Sequence, residues 1–273
     1  MSEYPKVARE VAHAPHEHLS PWPLFVAIGT ISLYYGVLFH GPVLGIAVLL
    51  FLSGIYGWIY EDYMHWKRPA AAAEEHALPA DSGFLKKMLA RPVAWWGVII
   101  FLLTEIMLFG ALFTFYFTAK IGQSSWPPSG VPELPVFSTG INTAILVSSG
   151  FTMHVGIMFL KRNSRTMFLV MFGATIALGG LFLYNQVTEY LDLMGEGFSL
   201  SSGTYGAAFY TLTGVHGAHV TAGLAGLTAV LARSLLGQFD AKRHLGIEGV
   251  AIYWHFVDFV WIFLYIVIYL RWI

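Results

Sequence analysis

Seven stretches of this chain are long and apolar enough to cross a hydrocarbon core about 30 Å thick, and that repetition leaves few folds open. They run Trp22–Phe39, Pro42–Tyr60, Ala94–Ala119, Ser138–Leu160, Thr166–Tyr190, Thr204–Leu231 and Ile247–Leu270. Backbone N–H and C=O groups in lipid must bond within their own segment, so each run reads as an α-helix. Outer-membrane barrel strands would instead alternate with a period of two over about ten residues, and these runs do not. The 273 residues are 56% hydrophobic and 11% charged, whereas soluble domains carry roughly 25% charged residues.

The connections divide these runs unevenly. The longest, Glu61 to Arg91, holds Ala70–Ala73 and then Lys86, Lys87 and Arg91, and it separates two helices from five. The predicted organisation is a tail over residues 1–21, a two-helix unit over 22–61, a connection over 62–93 and a five-helix unit over 94–273. His40-Gly41-Pro42 reads as a tight hairpin between the first two helices. Gly122 to Phe137 contains Trp126-Pro127-Pro128, whose prolines forbid helix and whose Trp suits the membrane interface. Met1 to Ser20 has no apolar core and few arginines, unlike a signal or transit peptide, so entry into the membrane through the first helix is expected.

Lysine and arginine distribution sets the expected orientation. Thirteen of the fifteen fall on one side of the seven-span topology, and only Lys120 and Arg271 on the other. The side with thirteen is the inner one, placing the N-terminus inside and the C-terminus outside. Net charge is −1 and cysteine is absent. The first gives no reason to expect a nucleic-acid partner, and the second removes disulfides, thiolate metal sites and iron–sulfur clusters.

Several ionisable groups lie at membrane depth, where lipid-facing placement is costly. At about 1.5 Å per residue, Glu105 sits roughly 16 Å into the third span. His216 and His219 occupy the middle of the sixth span and His255 and Asp258 that of the seventh, while Glu248 opens the seventh from the inner side. His216, His219, Gly223 and Gly226 share one face by spacing, as do Glu248, Ala251, His255 and Asp258, so two polar stripes could pack together. An acid at the depth of Glu105 must be protonated or paired, and His216 and His219 are at the same level. It could serve as a proton relay or as a hydrogen-bond tie between helices. His216-x-x-His219 could also chelate a metal with Glu105 or Asp258 as third ligand, although packed histidines are the commoner arrangement.

The run Tyr253-Trp254-His255-Phe256-Val257-Asp258-Phe259-Val260-Trp261, preceded by His244-Leu245-Gly246-Ile247-Glu248, closely resembles the last helix of cytochrome c oxidase subunit III. Gly206-Ala207-Ala208-Phe209-Tyr210 followed by Thr213 to Val220 is similar to the same family. So are Ser20-Pro21-Trp22-Pro23, Thr104 to Phe109, Trp126-Pro127-Pro128, Asn142-Thr143, Ser148-Ser149-Gly150 and Glu189-Tyr190. The likeness extends over nearly the whole chain. It implies an all-α, seven-helix membrane subunit whose two-helix and five-helix parts diverge as a V that holds phospholipids. By the same resemblance, this subunit carries no haem, copper or other cofactor, and those groups belong to partner subunits. It would bind oxidase subunits I and II and support proton uptake and turnover stability in a bacterial cytoplasmic membrane. Glu105 would be the family's buried reactive carboxyl, and Arg233 a basic residue near lipid phosphate. Thr104 stands where the family usually has Ser, the connection after Asp62 is longer, and Ile59-Tyr60 replace a favoured Trp.

Subunit III of quinol oxidases and the accessory protein of nitric oxide reductases share the motifs of the third, sixth and seventh spans. They typically begin at the third span, so Ser20-Pro21-Trp22-Pro23 and the two extra helices favour the cytochrome c branch. From other classes, an intramembrane metal-dependent enzyme would need three convergent ligands. A transporter would usually show inverted repeats and broken helices, which this chain lacks.

Overall fold

The computed structural model describes residues 21–22, 24–29, 32, 42–66, 93–241 and 244–271, and all regular structure among them is helical. The chain divides into two compact units, Met1–Ala77 and Leu78–Ile273.

In the first unit, α1 is helical over 24–29 and α2 covers Pro42–Trp66. Proline suits the first turn of α2, where its missing N–H has no helical acceptor to lose. The expected end at Tyr60 is passed. Nothing from Glu61 to Trp66 breaks a helix, and Pro69 comes only three residues later. The two helices approach through glycines. A Cβ on Gly29 would lie 2.6 Å from the Phe51 Cα, one on Gly54 would lie 2.9 Å from the Val26 nitrogen, and Gly57 faces the Trp22 ring. These pairings descend in α1 as they ascend in α2, the register of an antiparallel pair. The rest of the first predicted span, the His40-Gly41 turn and most of the long connection lie outside the described residues.

The second unit contains α3 (Val93–Ile121), α4 (Val136–Lys161), α5 (Arg165–Gly195), α6 (Gly203–Leu235) and α7 (Leu245–Leu264). A π-helical turn, Tyr265–Leu270, continues α7. These five helices are long and apolar enough to cross a membrane, with Gly45–Gly57 as a shorter apolar helical stretch in the first unit. The protein is a multi-pass membrane protein.

Each of α4, α5 and α6 outruns its predicted apolar run, because a helix stops where its backbone is capped rather than where hydropathy falls. All three end in the same left-handed cap. In α4 it is Asn163 at φ 59°, with the Ser164 N–H donating to the Phe159 carbonyl. In α5 and α6 the residue is Gly197 at φ 84° and Gly237 at φ 78°, where a glycine pays no Cβ penalty. At the C-terminus of α6, Arg165 Nη2 also donates to the Ser234 and Leu235 carbonyls at 2.8 and 3.0 Å.

Around α7 the unit closes. It packs against α3, α4 and α6, and half of its apolar window is buried, against 17% for α3. Lipid tails are as apolar as leucine, so shape and hydrogen bonds hold helices together here rather than water exclusion. Trp254 supplies both. A Cβ on Gly179 of α5 or on Gly223 of α6 would lie 2.7 Å from its ring. Its Nε1 donates to Ser149 Oγ of α4 at 3.0 Å. One indole on α7 thus grips three other helices. Two turns later, Trp261 Nε1 donates to Thr143 Oγ1 of α4 at 2.9 Å.

Candidate functional site

Glu105 is the thirteenth residue of the 29 in α3, which puts it at mid-depth. Its Oε2 lies 2.7 Å from His219 Nε2 on α6, and both side chains are largely withdrawn from solvent. The other ring nitrogen, Nδ1, lies 2.7 Å from the Val215 carbonyl one turn back along α6. A carbonyl oxygen can only accept, so Nδ1 carries a hydrogen and donates it. That fixes the proton count on the other side of the ring. Two lone pairs cannot face each other at 2.7 Å, so one proton lies between Nε2 and Oε2. Whether drawn as neutral acid and imidazole or as carboxylate and imidazolium, the pair has no net charge. The proton can cross it without creating charge at mid-membrane. Phe109 packs on the imidazole with centroids 5.0 Å apart, and Tyr253 Oη of α7 donates to the His219 carbonyl at 3.0 Å.

His216 does not join this pair, although it was an equal candidate by depth. Three residues along a helix turn a side chain by about 60°, enough to aim neighbours of one face at different helices. His216 is fully buried and stacks on Trp261 at 4.9 Å and 29°, edge-on to Phe182. Neither of its ring nitrogens has a hydrogen-bond partner among the described residues. The chelating reading of His216-x-x-His219 therefore loses its geometry. The two rings serve different neighbours, and Asp258 is engaged elsewhere. Among the described residues no cluster of three or more His, Asp or Glu side chains could hold a metal ion.

The expected packing of the sixth-span and seventh-span polar stripes needs correction. Gly223 and Gly226 do face α7, receiving Trp254 and Val250. His219, however, turns to α3, and the seventh-span acids turn to α4. Asp258 Oδ2 is 3.7 Å from His255 Nδ1 and points at Gly150 of α4, where any Cβ would collide with it. Its Oδ1 is buried and has no hydrogen-bond partner among the described residues. Glu248, at the first turn of α7, accepts from Lys161 of α4 at 2.7 Å and lies 3.2 Å from His244. Arg233 Nε donates to Gln238 Oε1 at 2.7 Å, and the guanidinium lies over the Phe239 ring. Between α3, α6 and α7 runs an apolar groove of about 350 Å³, lined by Trp95, Phe101, Gly223, Gly226, Gly249 and Tyr253 among others.

Two groups escaped the reading by depth. Glu189, near the far end of α5, accepts from Tyr269 Oη at 2.6 Å and from Thr139 Oγ1 at 3.0 Å, tying α5 to α4 and to the turn after α7. It borders a polar pocket with Glu133, Asp192 and Glu196. Its signal was present, an acid within a predicted span, but it lies close to the helix end, where acids are ordinary. Trp126, expected at the membrane interface, packs edge-on between Tyr116 and Tyr205 at 5.4 and 5.1 Å.

Comparison with known proteins places the chain in a family. A family profile described as Cytochrome c oxidase subunit III matches residues 13–273. A cytochrome c oxidase subunit 3 from Synechocystis is 43% identical over 176 residues, covering 64% of this chain and 74% of that protein. Subunit 3 proteins from Pongo abelii and Lumbricus terrestris are 33% and 35% identical, each covering more than nine-tenths of both chains. These full-length matches take in the first two spans as well as the Glu105, His219 and Trp254 helices, and the chain belongs to the cytochrome c oxidase subunit III family.

Proposed function

We propose that the chain is the non-redox subunit III of a proton-pumping cytochrome c oxidase in a bacterial cytoplasmic membrane. In this reading it binds the catalytic subunit I and subunit II, which carry the haem and copper, and it supports proton uptake and durability in turnover. The Glu105–His219 pair carries the proposal. It is a neutral two-residue unit at mid-depth that can pass a proton between its partners without net charge, on the helices that carry the family's motifs. Relatives named for cytochrome c oxidase cover the first two spans, which supports the cytochrome c branch over the quinol oxidase and nitric oxide reductase relatives.

Phospholipid binding belongs to the same proposal, with lipid between the two-helix and five-helix units and an inner-side head group at Arg233. The apolar groove that reaches Gly226 supports an acyl-chain site on the five-helix unit, because Arg233 lies seven residues further along α6, roughly 10 Å. An acyl chain in the groove would bring its phosphate toward the guanidinium. The thirteen Lys and Arg expected on the inner side favour anionic head groups.

Purifying the tagged chain from its native membrane in mild detergent tests the reading. Haem absorption and oxidation of reduced cytochrome c should accompany it, and removing the chain should shorten the number of turnovers before inactivation. A preparation without haem would refute the assignment, and one that oxidises quinol but not cytochrome c would move it to the other branch.

A further inference from the structure

We infer that Tyr253 of α7 is a positioning residue for the Glu105–His219 pair, holding α6 at the rotation that brings the imidazole onto the carboxyl. This rests on the reading of that pair as the proton-passing unit of the chain. It adds a third residue, on a third helix, on which the geometry of the pair depends.

The His219 ring is held at two points. Nδ1 lies 2.7 Å from the Val215 carbonyl, and Nε2 lies 2.7 Å from Glu105 Oε2. The first bond runs within α6, so it fixes the ring relative to its own helix and not relative to α3. Whether Nε2 meets the carboxyl therefore depends on how α6 is turned about its axis. The tolerance is small. An atom at the rim of a helix lies about 6 Å from the axis, so a rotation of about 10° carries it by about 1 Å. Added to the 2.7 Å separation, that displacement takes the contact out of hydrogen-bonding range.

Much of α6 near His219 is too smooth to set the rotation. A Cβ on Gly214, Gly217 or Gly226 would have its nearest neighbour 3.8 to 4.0 Å away. The close fit comes at Gly223, one turn after His219, where a Cβ would lie 2.7 Å from the Trp254 ring and 3.2 Å from Tyr253 Cε1. Ring packing resists motion toward the ring only. The Tyr253 hydroxyl resists motion away as well, because Oη donates to the His219 carbonyl at 3.0 Å. That bond falls on the residue that carries the imidazole. The same ring meets Phe101 of α3 with centroids 5.9 Å apart, and Phe101 is one turn from Glu105. One side chain of α7 thus touches both helices that the pair joins, each within a turn of a member of the pair. Its hydroxyl engages a backbone carbonyl rather than the shared proton, so its part is to place the pair.

The test is made on the oxidase purified from its native membrane. Two readings are taken, the reaction of Glu105 with a lipid-soluble carbodiimide and the infrared carboxyl band that disappears in Glu105→Gln. Tyr253→Phe keeps both ring contacts and removes the hydroxyl alone. Labelling of Glu105 should rise about 3- to 15-fold, the range for losing one interhelical hydrogen bond, and the band should move to that of an unpaired acid. A ring-fluorinated tyrosine at position 253, a stronger donor of nearly the same size, should slow labelling below the wild-type rate. Tyr190→Phe is the control. It removes a bond of the same kind from α6, the 2.6 Å contact of Tyr190 Oη with Thr213 Oγ1, and should leave both readings unchanged. Unchanged readings in Tyr253→Phe would overturn the inference. So would an equal change in Tyr190→Phe, which would make Tyr253 one structural tie among several. If His219→Leu left labelling at the wild-type rate, the reading of the pair would fall, and this inference with it. All of these readings come from this chain itself, so they stand apart from whether haem co-purifies.

Discussion

Removing the Glu105 carboxyl isolates the value of the pair at the centre of the bundle. In Glu105→Ala, His219 Nε2 loses its 2.7 Å contact while Nδ1 stays bound to the Val215 carbonyl. A buried polar atom without a partner costs about 1–3 kcal/mol. Interhelical polar bonds in membranes average about 0.6 and reach about 1.7 kcal/mol, because the unfolded state in lipid also finds partners. The expected loss is therefore about 1–2 kcal/mol, or roughly 5- to 30-fold in the folding equilibrium. Glu105→Gln behaves differently. Its amide has the length of the carboxyl and offers an N–H to the bare Nε2, so the tie survives and the loss should stay below about 0.5 kcal/mol. Reversible unfolding of the purified chain in mixed micelles measures both, and adding His219→Leu completes a double-mutant cycle. Equal losses for Ala and Gln, or a coupling energy near zero, would refute the reasoning. Chemistry supplies an independent reading. A lipid-soluble carbodiimide attacks protonated carboxyls, so Glu105 should be labelled in the wild type. Labelling confined to a His219→Phe variant would mean that the proton resides on the imidazole. Complete loss of oxidase turnover in Glu105→Gln would replace the tie with an obligatory relay.

Gly223→Val should destabilise the bundle by about 1–3 kcal/mol, because its side chain would need the space filled by the Trp254 ring; the same unfolding assay checks this, and a neutral result would refute the slot. Arg233→Ala should reduce co-purified anionic phospholipid by about one molecule per chain, measured by lipid mass spectrometry, and unchanged lipid content would count against the head-group assignment. After chelator washing, the chain separated from its partners should contain less than about 0.1 equivalent of copper, zinc or iron by elemental analysis, since its candidate ligands do not converge. One equivalent would overturn that reading.

The sequence revealed depth well and direction poorly. Apolar run length located α3 to α7 because a bilayer demands it, and the ends drifted because Asn163, Gly197 and Gly237 decide them through backbone geometry. Depth also singled out Glu105 as a group needing a partner. It could not choose between His216 and His219, since helix rotation and the placement of three neighbouring helices settle that. The Trp254 slot was illegible for a related reason. Gly179, Gly223 and Ser149 lie on three helices, and no periodicity within one segment links them. His255 and Asp258 stood out as a spaced pair, but their turn toward α4 depends on Gly150, which on its own reads as another small residue.

The grip of one indole on α4, α5 and α6 has a consequence for biogenesis. Those helices leave the ribosome before α7, so for a time the membrane holds a cleft bordered by Gly179, Gly223 and the Ser149 hydroxyl with nothing to fill it. Such a cleft is a loose, recognisable intermediate, and only arrival of α7 seals it. The helix rich in family motifs thus acts as a keystone, and α4, α5 and α6 reach their final packing only once Trp254 is in place.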